Sequence, residues 1–357
     1  MIEEFFKTEK SIVDEELGRY FNQLNKNETD TLLKDFFSQL EEFIQNPKAK
    51  RIHPILLIAS FTGIINPMYL EDQINEIRKV SLAVELLHSS YIIHDDLIDN
   101  DEKRRGKPAF HEQLKNEIST VLKGVDIPNK QNVIELYGRD ISILGSVQGY
   151  LLGLDILKSS KFPDKLKLFA INEYTLAMEY LMKGQIIEEY MDYHKITMSL
   201  EQYLNMAELQ RASLFEKSTK IGAILAKGNL HYQIEPLSKA MINIGQAYAI
   251  RDDLLDLEED IKGKKKRIVY LLAIQNSDEI QSKTLNEIYN KESLTNNDLK
   301  VIKEIFAETH AVVIAEHLSK NLVSQSKALL KDIYPDLNKE EKLFFNEFSD
   351  YIYLREF

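Results

Sequence analysis

Apolar side chains return at spacings of three and four residues along almost the whole chain, while strand-like alternation is scarce, so the pattern predicts helices nearly throughout. Breaks are expected at Asn46-Pro47, Asn66-Pro67, the run Arg105-Gly106-Lys107-Pro108, Ile127-Pro128, Phe162-Pro163, Lys227-Gly228, Lys262-Gly263 and Tyr334-Pro335. Together they imply an all-α protein of about ten or more helices. The segments Lys115 to Gln131 and Asn290 to Asn297 read as loops. No stretch is rich enough in Gly, Ser and Pro to act as an interdomain linker, and no fixed-period repeat is found. Residues 1–357 are therefore read as a single domain.

Composition narrows the class. Apolar residues make up 44% and charged residues 29%, as in a globular protein with a sizeable core. A net charge of -12 argues against a nucleic-acid partner, which calls for a basic surface. Cysteine is absent, which excludes disulfides and thiolate metal sites and suits a reducing compartment. The start, MIEEFFKTEK, has neither a basic n-region nor an apolar h-region. No apolar run is read as approaching the roughly 18 to 20 residues of a membrane helix, so a cytoplasmic protein without a transmembrane segment is expected.

Candidate chemistry lies in two acidic triples. In the segment Glu85 to His111 the apolar stripe Val80, Val84, Leu87, Tyr91 continues by four residues onto Asp95 and then Asp99. At about 100° per residue, His88, Tyr91, Asp95 and Asp99 share one helix wall. Asp96 completes the triple, and Arg104 and Arg105 follow. The second triple, Asp252, Asp253 and Asp256, repeats the spacing, with Gly245 and Ala249 on the same face, so room is expected beside the acids. Carboxylates one turn apart suit Mg²⁺, a hard cation held by one or two carboxylates plus substrate phosphates. Two such walls facing each other would gather a diphosphate and neutralise it as a carbon-oxygen bond breaks, with arginine forks on the outer oxygens.

These residues resemble the polyprenyl synthetase family, whose members carry DDxxD followed by RRG and a second DDxxD downstream. The likeness also covers Pro47 to Phe61, Lys183 to Asp192, Glu208 to Gly228 and a C-terminal helix ending near Arg355. The resemblance implies the isoprenoid synthase type I fold, a helical bundle around a central cavity, as a homodimer with several Mg²⁺ ions per active site. It makes Asp95, Asp99 and Asp252 the metal ligands, with Asp96, Asp253 and Asp256 beside them as catalytic acids. Arg104 resembles the allylic-diphosphate arginine, and Lys50, His88 and Arg105 resemble isopentenyl-diphosphate contacts. The implied reaction joins an allylic diphosphate to isopentenyl diphosphate. Ser90 and Tyr91 would form the floor under the growing tail, stopping it at about fifteen to twenty carbons because a rigid ring does not collapse.

The pattern departs from the family in places. His53 stands where the second arginine of the basic motif is expected, and Gln210-Arg211 replaces a lysine-threonine pair. Tyr248-Ala249 replaces phenylalanine-glutamine. The loop after the second triple is shortened to the basic run Lys262 to Arg267, in which Lys262 or Lys264 would close over the diphosphate. With the acids intact, chemistry is expected to be retained. An altered acceptor, a class I terpene cyclase and a non-catalytic subunit of a heteromeric synthase are the other readings.

Overall fold

The computed structural model describes residues 2–354. In chain order the helices are α1 (Ile2–Asn27), α2 (Thr31–Ile44), α3 (Ile52–Ile64), α4 (Leu70–Ile98), α5 (Phe110–Val121), α6 (Lys130–Ser159), α7 (Asp164–Tyr193), α8 (Leu200–Ala207), α9 (Ser213–Leu225), α10 (Glu235–Leu255), α11 (Leu257–Gly263), α12 (Ile268–Asn276), α13 (Glu279–Tyr289), α14 (Asn296–Glu308), α15 (Ala311–Lys331) and α16 (Lys339–Leu354). The expected all-α class holds. Every break expected at proline or glycine falls at or between two of these helices. The expected loop over Asn290 to Asn297 holds, and several helix starts are made by capping boxes, in which a side chain at the helix start and another three residues on satisfy each other's backbone donors. Ser199 with Gln202 opens α8 this way, Asp278 with Gln281 opens α13, and Thr295 with Asp298 opens α14. Arg355, near which the last helix was expected to end, lies outside the described residues.

Two expectations are corrected. The loop read over Lys115 to Gln131 is only residues 122–129, because α5 persists to Val121 and Lys115 pairs with Glu112 one turn back at 2.7 Å. The missing apolar run is α6, the one straight helix among the described residues whose length and composition would allow it to cross a membrane. Half of its most apolar window is buried inside the protein.

The described residues form two compact units, one of residues 2–174 and 221–227, the other of residues 175–220 and 228–354. In the first, α3 is apolar on every side and buried from Ile52 to Gly63, as such a helix must be. There α4 and α6 meet through small residues. A Cβ at Gly149 would lie 2.1 Å from Ser90 Oγ, so only glycine permits this approach. In the second unit α12 is the buried helix, from Ile268 to Ala273, enclosed by Tyr203, Met206, Ile250, Leu285, Ile302 and Phe306.

Candidate active site

In the first unit the acids sit where α4 ends. Asp99 caps the helix, its N–H donating to Asp95 O at 2.9 Å. Carboxylates at this end oppose the helix dipole and call for nearby cations. The chain supplies one at once. Arg105 and Gly106 both take positive φ, 55° and 79°, the backbone of a tight hairpin turn, and join the two-residue antiparallel strands Lys103–Arg104 and Lys107–Pro108. This turn folds Arg104 back, so that its Nε donates to Asp96 Oδ1 at 2.6 Å and its Nη2 lies 3.3 Å from both Asp95 and Asp101. Asp96 is fully buried, and burial pushes its carboxyl up to about 6 against the pull of Arg104. Its Oδ2 accepts no hydrogen bond among the described residues.

In the same unit lie the residues expected to meet the second diphosphate. Arg51, left-handed at φ 56° and buried, pairs with Asp14 at 2.7 Å and with Glu85, and donates to Ile44 O at 2.8 Å. It pins the turn that carries exposed Lys50 and buried His53. The His53 and His88 rings meet edge to face with centroids 4.6 Å apart. Burial, reinforced by the charge of Arg105, pushes His53 down to about 3, so it is neutral and interior rather than a charged surface group. Ser90 and Tyr91 are both buried one turn or so before Asp95. Sequence reasoning passed over His94, whose Nδ1 lies 3.0 Å from Ser146 Oγ of α6.

The second unit repeats the end-of-helix arrangement. Asp256 caps α10 with its N–H on Asp252 O at 2.9 Å. The middle acid is again taken by the protein: Asp253 Oδ2 accepts from the Tyr203 hydroxyl at 2.7 Å and from Ile268 N at 3.3 Å. Burial raises Asp253, opposed by Arg267 and Tyr203. Arg267 is ion-paired with Glu188 of α7. Burial would raise Glu188, but Arg267 and Gln210 hold it below its ordinary value. Half-buried Asp260 rises to about 7 through desolvation and the charge of Asp253.

The room expected beside Gly245 is filled, because a Cβ there would lie 2.2 Å from Ala212 Cα. The close neighbour is a π-helical turn, Glu208–Ala212, inserted between α8 and α9; such turns add a residue and gather at functional sites. Gln210 in this turn is buried and donates to Gln185 Oε1 at 3.2 Å and to Glu188. Arg211 is exposed, and its charge is felt at Glu188 and Asp253. Lys262 is exposed with its charge on Glu258, while Lys264 Nζ donates to the carbonyls of Lys291 and Glu292.

Among the described residues no three acidic or imidazole groups gather into a cage for a metal ion. The donors are nonetheless the hard oxygens Mg²⁺ prefers, in carboxylate pairs one turn apart, and this ion is usually completed by substrate phosphates rather than by protein alone. The carboxylate pairs and the open oxygen of Asp96 fit it.

The fold is shared along its full length with geranylgeranyl pyrophosphate synthase from Corynebacterium glutamicum, a structure complexed with isoprenyl diphosphate and magnesium, at a TM-score of 0.83 and 20% identity over 98% of this chain and 99% of that one. This defines the fold as the all-helical isoprenoid synthase type. The chain belongs to the polyprenyl synthetase family, whose model matches residues 34–308. It is 28% identical to the short chain isoprenyl diphosphate synthase of Methanocaldococcus jannaschii over 72% of each chain. It is 26% identical to the geranylgeranyl diphosphate synthase of Saccharolobus solfataricus over 91% of this chain and 94% of that one.

Proposed function

We propose that this chain is a magnesium-dependent short-chain prenyltransferase that joins an allylic diphosphate to isopentenyl diphosphate, releasing a product of about fifteen to twenty carbons whose length Tyr91 limits. The observation that carries this reading is the repeated design of the two triples. Each lies at a helix C-terminus, each has its middle acid held by protein donors, and each leaves an outer acid, Asp99 or Asp256, exposed. Asp95, Asp99 and Asp252 would be the metal ligands. Bound magnesium would supply the positive charge on which diphosphate departs. Arg104, released from Asp96, would turn to the allylic diphosphate, with Gln210, Arg211 and Lys262 or Lys264 around it. Lys50, Arg105, His88 and neutral His53 would bind the second diphosphate. The allylic carbon-oxygen bond breaks, the isopentenyl double bond attacks the cation, and a proton is lost from the adduct, giving a chain one isoprene unit longer.

A homodimer fits the outer face of α6. Val133, Leu136, Ile143, Leu144, Val147 and Leu151 are exposed there at helical spacing, a stripe of the kind that partner chains cover. A cytoplasmic setting fits a chain without cysteine.

Purified protein incubated with Mg²⁺, geranyl diphosphate and labelled isopentenyl diphosphate tests the reading. Elongated prenyl diphosphates that disappear on chelation are expected. Hydrocarbons would indicate a cyclase, and silence broken only by a second protein would indicate a subunit.

A further inference from the structure

Arg267 closes the basic run after the second triple, yet its surroundings are not those of a surface cation. Its side chain and that of Glu188 are only 22% and 12% exposed. Glu188 uses both oxygens, one for Arg267 and the other for Gln210 Nε2. One residue on, the first N–H of α12, from Ile268, donates to the same Asp253 oxygen that accepts the Tyr203 hydroxyl. Arg267 and Ile268 thus hold two carboxylates, on α7 and α10, through adjacent groups. Of the remaining cations, Lys264 and Lys266 turn elsewhere, while exposed Lys265 reaches Asp260 through its charge. Lys264 binds loop carbonyls, and Lys266 donates to Thr197 at 2.9 Å beneath the ring of Tyr270. Gln210 adds a donor and no charge. Without Arg267 the carboxylates of Glu188, Asp253 and Asp260 would be opposed only by the exposed cations Arg211 and Lys265 acting at a distance, an arrangement that low-polarity surroundings make costly.

We propose that Arg267 is the positioning residue of the second acidic triple. It neutralises Glu188, keeps the head of α12 on Asp253, and so leaves Asp252 and Asp256 directed at the metal-bound diphosphate. It touches no substrate itself. This proposal rests on the function proposed above.

The test compares wild type with Arg267→Gln and Arg267→Lys in elongation kinetics, and in calorimetric titration of the full chain with magnesium pyrophosphate. Arg267→Gln is expected to lower kcat about 100-fold and raise the magnesium needed for half activation about tenfold, with the KM for isopentenyl diphosphate within about twofold of wild type. Its magnesium pyrophosphate affinity is expected to fall about tenfold, and Arg267→Lys to recover most of each loss. A folded Arg267→Gln protein with wild-type kcat and affinity overturns the proposal, as does a loss that falls mainly on the isopentenyl diphosphate KM. If Arg267→Gln does not fold, Glu188→Gln replaces it: affinity reduced about threefold supports the proposal, and unchanged affinity overturns it. If wild type does not elongate at all, the functional reading fails, and the magnesium pyrophosphate titrations still decide the role of Arg267.

Discussion

The imidazole of His53 stands edge-on to that of His88, ring centroids 4.6 Å apart, in a buried pocket where the family resemblance calls for an arginine. Burial and the charge of Arg105 hold it neutral, with a pKa near 3 in place of 6.5. Between those values the unfolded chain binds a proton here that the folded chain does not, so stability falls as pH drops below 6.5. At pH 5 this position is expected to cost wild type about 2 kcal/mol relative to neutral pH. Thermal unfolding at pH 5 and 7 checks this, with His53→Gln losing less between the two.

The same residue bears on the acceptor. His53→Arg adds a charge-assisted donor toward a diphosphate, worth roughly tenfold in isopentenyl diphosphate KM. It also buries a second guanidinium near Arg105, so the ligand-free variant is expected to melt below wild type. Steady-state kinetics read beside melting curves separate the two effects, and an unchanged KM removes His53 from the acceptor site.

Arg51 holds Glu85, which is 1% exposed, and Asp14 of α1. Arg51→Met leaves the Glu85 charge buried without its partner, at a cost of about 3 to 5 kcal/mol in urea unfolding. The double change Arg51→Met with Glu85→Leu is expected to regain most of it. A single variant as stable as wild type would show that the pair does not hold the turn before α3.

Tyr91 is buried one turn before Asp95. Replacing its ring by a methyl opens apolar space, and Tyr91→Ala is expected to lengthen products by about one or two isoprene units. Chromatography of the dephosphorylated alcohols measures this. An unaltered product length would place the floor elsewhere.

Leu144 is 63% exposed at the centre of the α6 stripe. Leu144→Asp would set a charge into an apolar contact, so sedimentation is expected to shift from dimer to monomer. A wild-type protein that sediments as a monomer would dismiss the stripe as the contact.

Much of this could be read along the chain because its causes are local. Proline past its first turn interrupts a helix, so the breaks at Asn66-Pro67 and Phe162-Pro163 lie where expected. The triples could be placed on helices since an apolar stripe of known period runs into them, and both do occupy helix ends. What stayed hidden depends on partners distant in sequence. Whether the face of Gly245 was open or filled turned on Ala212, and the π turn there carries no compositional signature. By sequence Arg267 is one more cation in the basic run Lys262 to Arg267. Only the fold brings Glu188 to it, across some eighty positions of chain.

Six acids at two helix C-termini give the protein a thermal habit as well as a chemistry. Backbone carbonyls and carboxylates crowd the same ends, and Arg104 and Arg267 offset only part of that repulsion. Loaded with cation and pyrophosphate as proposed above, the molecule would shed this load, so heat resistance would follow the supply of substrate and the empty protein would be the first form lost on warming.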